Sequence, residues 1–197
     1  MNLANKLTMS RIALSLVIIV LLLFPFEQIG FNFPSLVLDG RIMMDTKYLI
    51  AGVIFIIASL TDYFDGIVAR KYNMITDFGK TIDAISDKIL TNSLIIILAC
   101  QGMVSPVIAV VIVIRDIVVD SLKMIMGTKK GAVGAIMVAK WKTATLMIGL
   151  TLTLFYDLPF SLLGVIVSDY ILIVAAVLSI ISGVEYYKMA SSCFETK

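Results

Sequence analysis

Histidine is absent from the 197 residues. That removes the commonest general base and transition-metal ligand, so any chemistry falls to Asp, Glu, Lys, Arg, Ser or Thr. Cysteine is nearly absent too: Cys100 and Cys193 are too few and too far apart for a disulfide framework or a zinc site. Charge is sparse and close to balanced, at a net +2, which argues against a nucleic-acid partner. No repeat, low-complexity segment or soluble domain is visible. What is present is apolar sequence, 60% of the chain by residue type, with a mean hydropathy of +1.03. These values predict a single integral membrane domain over residues 1–197.

Lys6 and Arg11 precede the apolar run Ile12–Phe26 as in a signal peptide, but no small-x-small cleavage site follows, so an uncleaved first span is expected. Apolar periodicity predicts six transmembrane helices, near Arg11–Phe26, Tyr48–Tyr72, Phe78–Cys100, Ser105–Gly127, Val138–Tyr156 and Leu162–Tyr187. Met1–Ser10 is expected to form a short N-terminal interfacial helix. The fold class is therefore all-α integral membrane. With both termini cytoplasmic, Arg41 and Lys47 fall outside and the other fourteen of the sixteen Lys and Arg fall inside. Spans two to five are each apolar in one half and polar in the other, and the polar halves share the cytoplasmic side. This predicts a polar, water-accessible cavity facing the cytoplasm.

The polar halves of spans two and three carry the chemistry. Thr61–Leu90 holds two carboxylate pairs, Asp62 with Asp65 and Asp83 with Asp87, and Arg70 lies between them. A carboxylate at membrane depth costs about 2.5–3.5 kcal/mol on insertion scales, so a cluster of them needs a partner or a function. At about 100° per residue, Asp62, Asp65, Gly66, Ala69 and Arg70 share one face of span two; Thr76, Gly79, Asp83 and Asp87 share one face of span three. Opposed, the faces would gather four carboxylates whose charge two divalent cations would balance. Oxygen-only ligands favour Mg²⁺, Mn²⁺ or Ca²⁺ over zinc or copper. Gly66 and Gly79 allow close approach, Ala69 keeps the face shallow, and Arg70 can fork onto phosphate oxygens. A buried structural Asp/Arg network, or the ion path of a cation transporter, uses the same residues.

Asp62-x2-Asp65-Gly66-x2-Ala69-Arg70-x8-Gly79-x3-Asp83-x3-Asp87 resembles the signature of the CDP-alcohol phosphatidyltransferases at every fixed position. The resemblance implies a six-span homodimer that takes a CDP-linked lipid as donor and an alcohol as acceptor, and releases CMP. It implies two Mg²⁺ or Mn²⁺ ions, with Asp62 and Asp83 bridging both, Asp65 completing the first site and Asp87 the second. Asp87 would also be the catalytic base toward the acceptor hydroxyl, and Gly66, Arg70 and Thr76 would contact the cytidine diphosphate. Asn5 is a further candidate for touching the nucleotide.

Arg115-Asp116, Lys123, Lys129-Lys130-Gly131 and Ala139-Lys140-Trp141-Lys142-Thr143 are similar to the branch of that family that uses glycerol 3-phosphate. There the usual pattern has Glu at 116, Arg at 123 and Gly at 139. By this resemblance the donor is CDP-diacylglycerol, the acceptor glycerol 3-phosphate, and the setting a bacterial inner membrane. Inositol phosphate, serine or phosphatidylglycerol are the alternative acceptors. Because the acceptor phosphate is a dianion, Arg115, Lys123 and Lys140 are the expected phosphate-binding residues. Lys142 points about 160° from Lys140 around the helix, and with Lys129 and Lys130 it reads instead as a positive anchor for anionic lipid heads.

Overall fold

The computed structural model describes the backbone of residues 3–38, 42–71, 77–130, 134 and 136–195; side chains at 3–7, 42, 62–71, 77–81, 83–84, 128–130 and 194–195 lie outside the description. Among the described residues six helices account for most of the length: α1 (Leu3–Leu23), α2 (Thr46–Lys71), α3 (Asp77–Cys100), α4 (Pro106–Lys130), α5 (Met137–Leu154) and α6 (Val167–Glu195). Even α5, with 18 residues, reaches about 27 Å at 1.5 Å per residue, close to the thickness of a hydrocarbon core. Among the described residues one helix segment, Val167–Cys193, is both long and apolar enough to cross a membrane by itself. Thr8–Leu23 and Thr46–Thr61 are shorter apolar stretches. The other helices interrupt their apolar sequence with charge on one half.

Contacts fix the helix directions. Arg11 of α1 donates to Ser86 Oγ of α3 at 3.1 Å, and Gln101, just past α3, donates to the Leu22 carbonyl at 3.1 Å, so α1 and α3 run parallel. Arg115 meets Ser179 while Lys123 lies over Tyr186, so α4 and α6 run parallel. Gly149 touches Leu172 and Ile136 bonds Tyr186, so α5 runs against α6. α1 packs with α2 and α3, and α6 with α4 and α5; the two trios join through α3–α4 and α2–α5. Phe55, Leu94, Leu98, Ile112, Leu146, Leu150 and Leu172 form the core between them.

Polarity is distributed inside out. Leu16, Val17, Val20, Val107, Val110, Ile114, Val177 and Ile180 are exposed, whereas Arg11, Ser15, Ser86, Asp116, Lys142, Ser179 and Ser182 are buried. A soluble monomer does not present so continuous an apolar surface; the pattern is compatible with a helical protein surrounded by lipid.

Two local expectations need correction, and one element is added. Residues 3–10 are not a separate interfacial helix but the first turns of a continuous α1: no Gly or Pro interrupts Leu3–Leu23, and buried Arg11 ties this part of the helix to α3. The helical content agrees with the all-α expectation, and one element is added to it: Ser35–Leu38 pairs antiparallel with Ile42–Asp45 in a short hairpin, β1–β2. The hairpin is held from a distance: the Asp45 N–H donates to the Tyr156 hydroxyl at 3.1 Å, and that ring meets Tyr48 edge-on. Finally, α6 starts at Val167 rather than Leu162. A 3-10 turn over Phe160–Leu163 ends at Gly164, whose φ of 73° suits glycine. Asp157 then caps α6 by accepting from the N–H groups of Val167 (3.1 Å) and Ser168 (2.6 Å).

Candidate active site

The N-terminal ends of α1, α3 and α5 and the C-terminal ends of α2, α4 and α6 share one end of the bundle, and the polar halves of the helices meet there. A cavity of about 750 Å³ opens between them. Ser59 of α2 and Asp87, Lys88 and Thr91 of α3 line one side. Arg115, Asp116, Asp120 and Lys123 of α4 and Lys140, Lys142 and Thr143 of α5 line the other.

Asp116 organises the second wall. Lys142 Nζ donates to both of its carboxylate oxygens at 2.8 Å, and Arg115 Nη1 donates to Oδ1 at 2.9 Å. Lys142 and Asp116 are only 4% and 6% exposed, so this is an ion pair inside the helix bundle, where each member depends on the other. Arg115 is fixed further by α6: Nε donates to the Ser179 carbonyl at 3.0 Å and Nη2 to Ser182 Oγ at 2.5 Å. A Cβ at Gly183 would come within 3.3 Å of Arg115 Cγ, so glycine there lets the arginine lie flat on α6. The Tyr186 ring has the Arg115 guanidinium 5.9 Å away and Lys123 Nζ 4.8 Å away. Lys88 is ion-paired with Asp120.

The structure thus brings together Asp87, Arg115, Lys123 and Lys140 around one cavity, with Asp87 half-buried and Lys140 exposed at its edge. Asp62, Asp65, Gly66, Ala69 and Arg70 fall on the last turns of α2, and Gly79 and Asp83 on the first turns of α3. Their side chains, like that of Asn5 on α1, lie outside the description, and Thr76 lies outside the described residues altogether. Among the described residues no group of three or more acidic side chains is gathered.

Two residues take roles that their sequence context does not suggest. By sequence Lys142 reads as a lipid anchor, yet it is the buried lysine of the pair and Lys140 the exposed one. The two lysines do lie on opposite sides of α5, and which of them faces inward depends on Asp116, a partner on another helix. Arg11 read as a flanking charge, yet it is fully buried against Ser86, the neighbour of Asp87. In the sequence its signal is an arginine opening an apolar run.

The family model described as CDP-alcohol phosphatidyltransferase matches residues 1–181 of the chain. The CDP-diacylglycerol–glycerol-3-phosphate 3-phosphatidyltransferase of Bacillus subtilis (strain 168) is 34% identical over 186 residues, covering 94% of this chain and 93% of that protein. The enzyme of the same name from Rickettsia bellii is 31% identical over 194 residues, covering 98% and 97%. That from Rickettsia typhi is 32% identical over 194 residues, covering 98% and 99%.

Proposed function

The chain belongs to the CDP-alcohol phosphatidyltransferase family, and on that premise we propose that it transfers the phosphatidyl group of CDP-diacylglycerol to glycerol 3-phosphate, releasing CMP. The observation that carries the choice of acceptor is the near end-to-end agreement with relatives named for that reaction. The cavity supports it chemically. Five cations (Lys88, Arg115, Lys123, Lys140, Lys142) and three carboxylates (Asp87, Asp116, Asp120) line it. Among these described residues the α4–α5 wall carries the surplus, with Arg115, Lys123, Lys140 and Lys142 against Asp116 and Asp120, which suits a phosphate dianion.

The family reading implies two divalent cations, Mg²⁺ or Mn²⁺. The described side chains on the α2–α3 side of the cavity fit hard cations: a carboxylate at Asp87 and a hydroxyl at Thr91, with no imidazole or thiol beside them, while the Lys88 ammonium is paired with Asp120. Asp62, Asp65, Asp83 and Asp87 would hold the ions, which when bound supply charge neutralisation for the diphosphate and the developing transition state.

The remaining roles fall to the chain's own side chains. Asp87 accepts the proton of the acceptor hydroxyl as its oxygen bonds to the phosphorus that carries diacylglycerol, and the P–O bond to CMP breaks. Gly66, Ala69 and Gly79 leave room for the cytidine diphosphate, Arg70 balances its charge, and Thr76 and Asn5 are further contacts. Arg115 and Lys123 face the acceptor phosphate, with Lys140 at the rim and Lys142 behind Asp116. The same reading makes the protein a six-span homodimer of a bacterial inner membrane, with both termini and the cavity cytoplasmic.

The test is an acceptor panel. Purified enzyme with Mg²⁺ and CDP-diacylglycerol should release CMP with glycerol 3-phosphate and not with inositol phosphate, serine or phosphatidylglycerol. Release with one of those instead would reassign the acceptor; none at all, together with ion flux in vesicles, would point to a transporter.

A further inference from the structure

Three of the cations at the cavity have a carboxylate beside them: Lys142 and Arg115 share Asp116, and Lys88 is paired with Asp120. Lys123 is held differently. Among the described residues no carboxylate pairs with it, and its Nζ stands 4.8 Å from the centroid of the Tyr186 ring. The Arg115 guanidinium reaches the same ring at 5.9 Å. Both distances lie within the roughly 6 Å over which the negative face of an aromatic ring attracts a cation. The ring is neutral, so it holds an ammonium in place without cancelling its charge. Lysine is a point charge on a flexible stem, so its direction has to come from what it rests on.

Tyr186 is itself fixed at both ends. Its ring is fully buried and packs with Val119, Met126 and Ala190 in a small core apart from the main one. Its hydroxyl accepts from the Ile136 N–H at 3.1 Å and donates to the Gly134 carbonyl at 3.4 Å. Ile136 is the N-cap of α5 and has no side-chain oxygen with which to cap it. The Ile136 carbonyl in turn accepts from the Lys140 N–H at 3.2 Å. One side chain of α6 thus meets Lys123 and Arg115 of α4 through its ring, and the turn that carries Lys140 through its hydroxyl.

We infer that Tyr186 is a positioning residue for the acceptor phosphate: its ring face aims the unneutralised Lys123 ammonium into the cavity, and its hydroxyl sets the start of α5 so that Lys140 stands at the same rim. A tyrosine that only filled space at the end of α6 would show the same burial. It would not make acceptor binding depend on the charge distribution of its ring, and that dependence is what separates the two roles. The inference rests on the acceptor carrying a phosphate, as glycerol 3-phosphate does.

The experiment keeps the shape of the ring and changes its electrons. In the full-length enzyme Tyr186→Phe is compared with mono-, di- and trifluorophenylalanine introduced at the same position, since fluorine drains the ring face. CMP release in mixed micelles with Mg²⁺ gives kcat and a KM for each substrate. Tyr186→Phe, which loses the hydroxyl alone, should raise the KM for glycerol 3-phosphate about twofold. Each fluorine should raise it further, to about three- to tenfold for the trifluoro ring. Both kcat and the donor KM should stay within about twofold. In a Lys123→Met background the fluorinated series should lose most of its slope, because the cation it acts through is gone. An acceptor KM that stays flat across the series, a slope shared equally by both substrates, or a slope undiminished in Lys123→Met would overturn the inference while leaving the acceptor assignment intact. Wild-type turnover with inositol phosphate alone would overturn that assignment, and the series run with inositol phosphate would still judge Tyr186. Turnover with serine alone, which carries no phosphate, would overturn both.

Discussion

A single carboxylate at position 116 faces two cations, and its surroundings decide what its loss would do. Removing one member of a buried ion pair typically costs about 3–5 kcal/mol, because the partner is left charged in a poor solvent. Asp116→Asn should therefore release Lys142 from its place beside the cavity and lower thermal stability. If the pair shapes the acceptor pocket, the KM for glycerol 3-phosphate should rise tenfold or more, roughly 1.4 kcal/mol of binding, while that for the lipid donor stays within about twofold. Asp116→Glu should retain most of the affinity, since the longer acid still reaches both cations. The double replacement Asp116→Leu with Lys142→Met separates stability from function: apolar residues of similar size should recover part of the melting temperature, with Arg115 still bonded to Ser179 and Ser182, but not the acceptor KM. Equal rises in both KM values would remove Asp116 from the acceptor pocket. The pair also marks a limit of reading residues singly. The carboxylate spacing from Asp62 to Asp87 is a local property of two helices and was legible; the burial of Lys142 follows from a partner 26 positions away.

At the scale of elements, close helix contact depends on what is missing from a side chain. A Cβ built on Gly149 of α5 would lie 2.6 Å from Leu172 Cδ2 and 2.9 Å from Leu172 Cγ of α6. Leu172 is fully buried, so it has little room to turn away. Gly149→Ala should destabilise the protein by about 1–3 kcal/mol through overpacking, read as a lower melting temperature in detergent. Gly149→Ala combined with Leu172→Ala should be less destabilised than the sum of the two single variants, because the small side chain takes up the contact. Strict additivity would mean that α5 and α6 are not held by this contact. Helix existence was legible from apolar runs, and the observed ends of α3 and α4 lie within a few residues of the expected ones. The start of α6 was not, because the Phe160–Leu163 turn is as apolar as the helix after it, and its end is set by backbone conformation at Gly164. The hairpin was hidden for a different reason. Its anchors are Tyr156, 111 positions away in the sequence, and Pro34, whose carbonyl accepts from the Thr46 N–H, so no local alternation announced it.

For the whole molecule, the decisive asymmetry is between two ends. One end gathers the charged cavity between α3, α4 and α5. The other carries the β1–β2 hairpin, the aromatic cluster of Phe26, Phe31 and Phe33 and the Asp157 cap. The proposed orientation puts the cavity where a soluble sugar phosphate is found and the hairpin on the opposite side of the membrane, in keeping with the bias of Lys and Arg. The exposed residues Val37 of β1 and Trp141 of α5 are suitable reporters, at 57% and 64% exposure. In a chain with Cys100 and Cys193 changed to serine, Val37→Cys should react with a membrane-impermeant maleimide added to intact spheroplasts. Trp141→Cys should react only after the membrane is opened, and glycerol 3-phosphate should slow that reaction, because its neighbours Lys140 and Lys142 line the cavity. Labelling of Trp141→Cys from outside would invert the topology and place the acceptor pocket away from its substrate. Labelling of both sites from outside would mean that the polar halves do not share one side of the bilayer, and the arrangement of a lipid donor and a soluble acceptor meeting at one cytoplasmic cavity would fail with it.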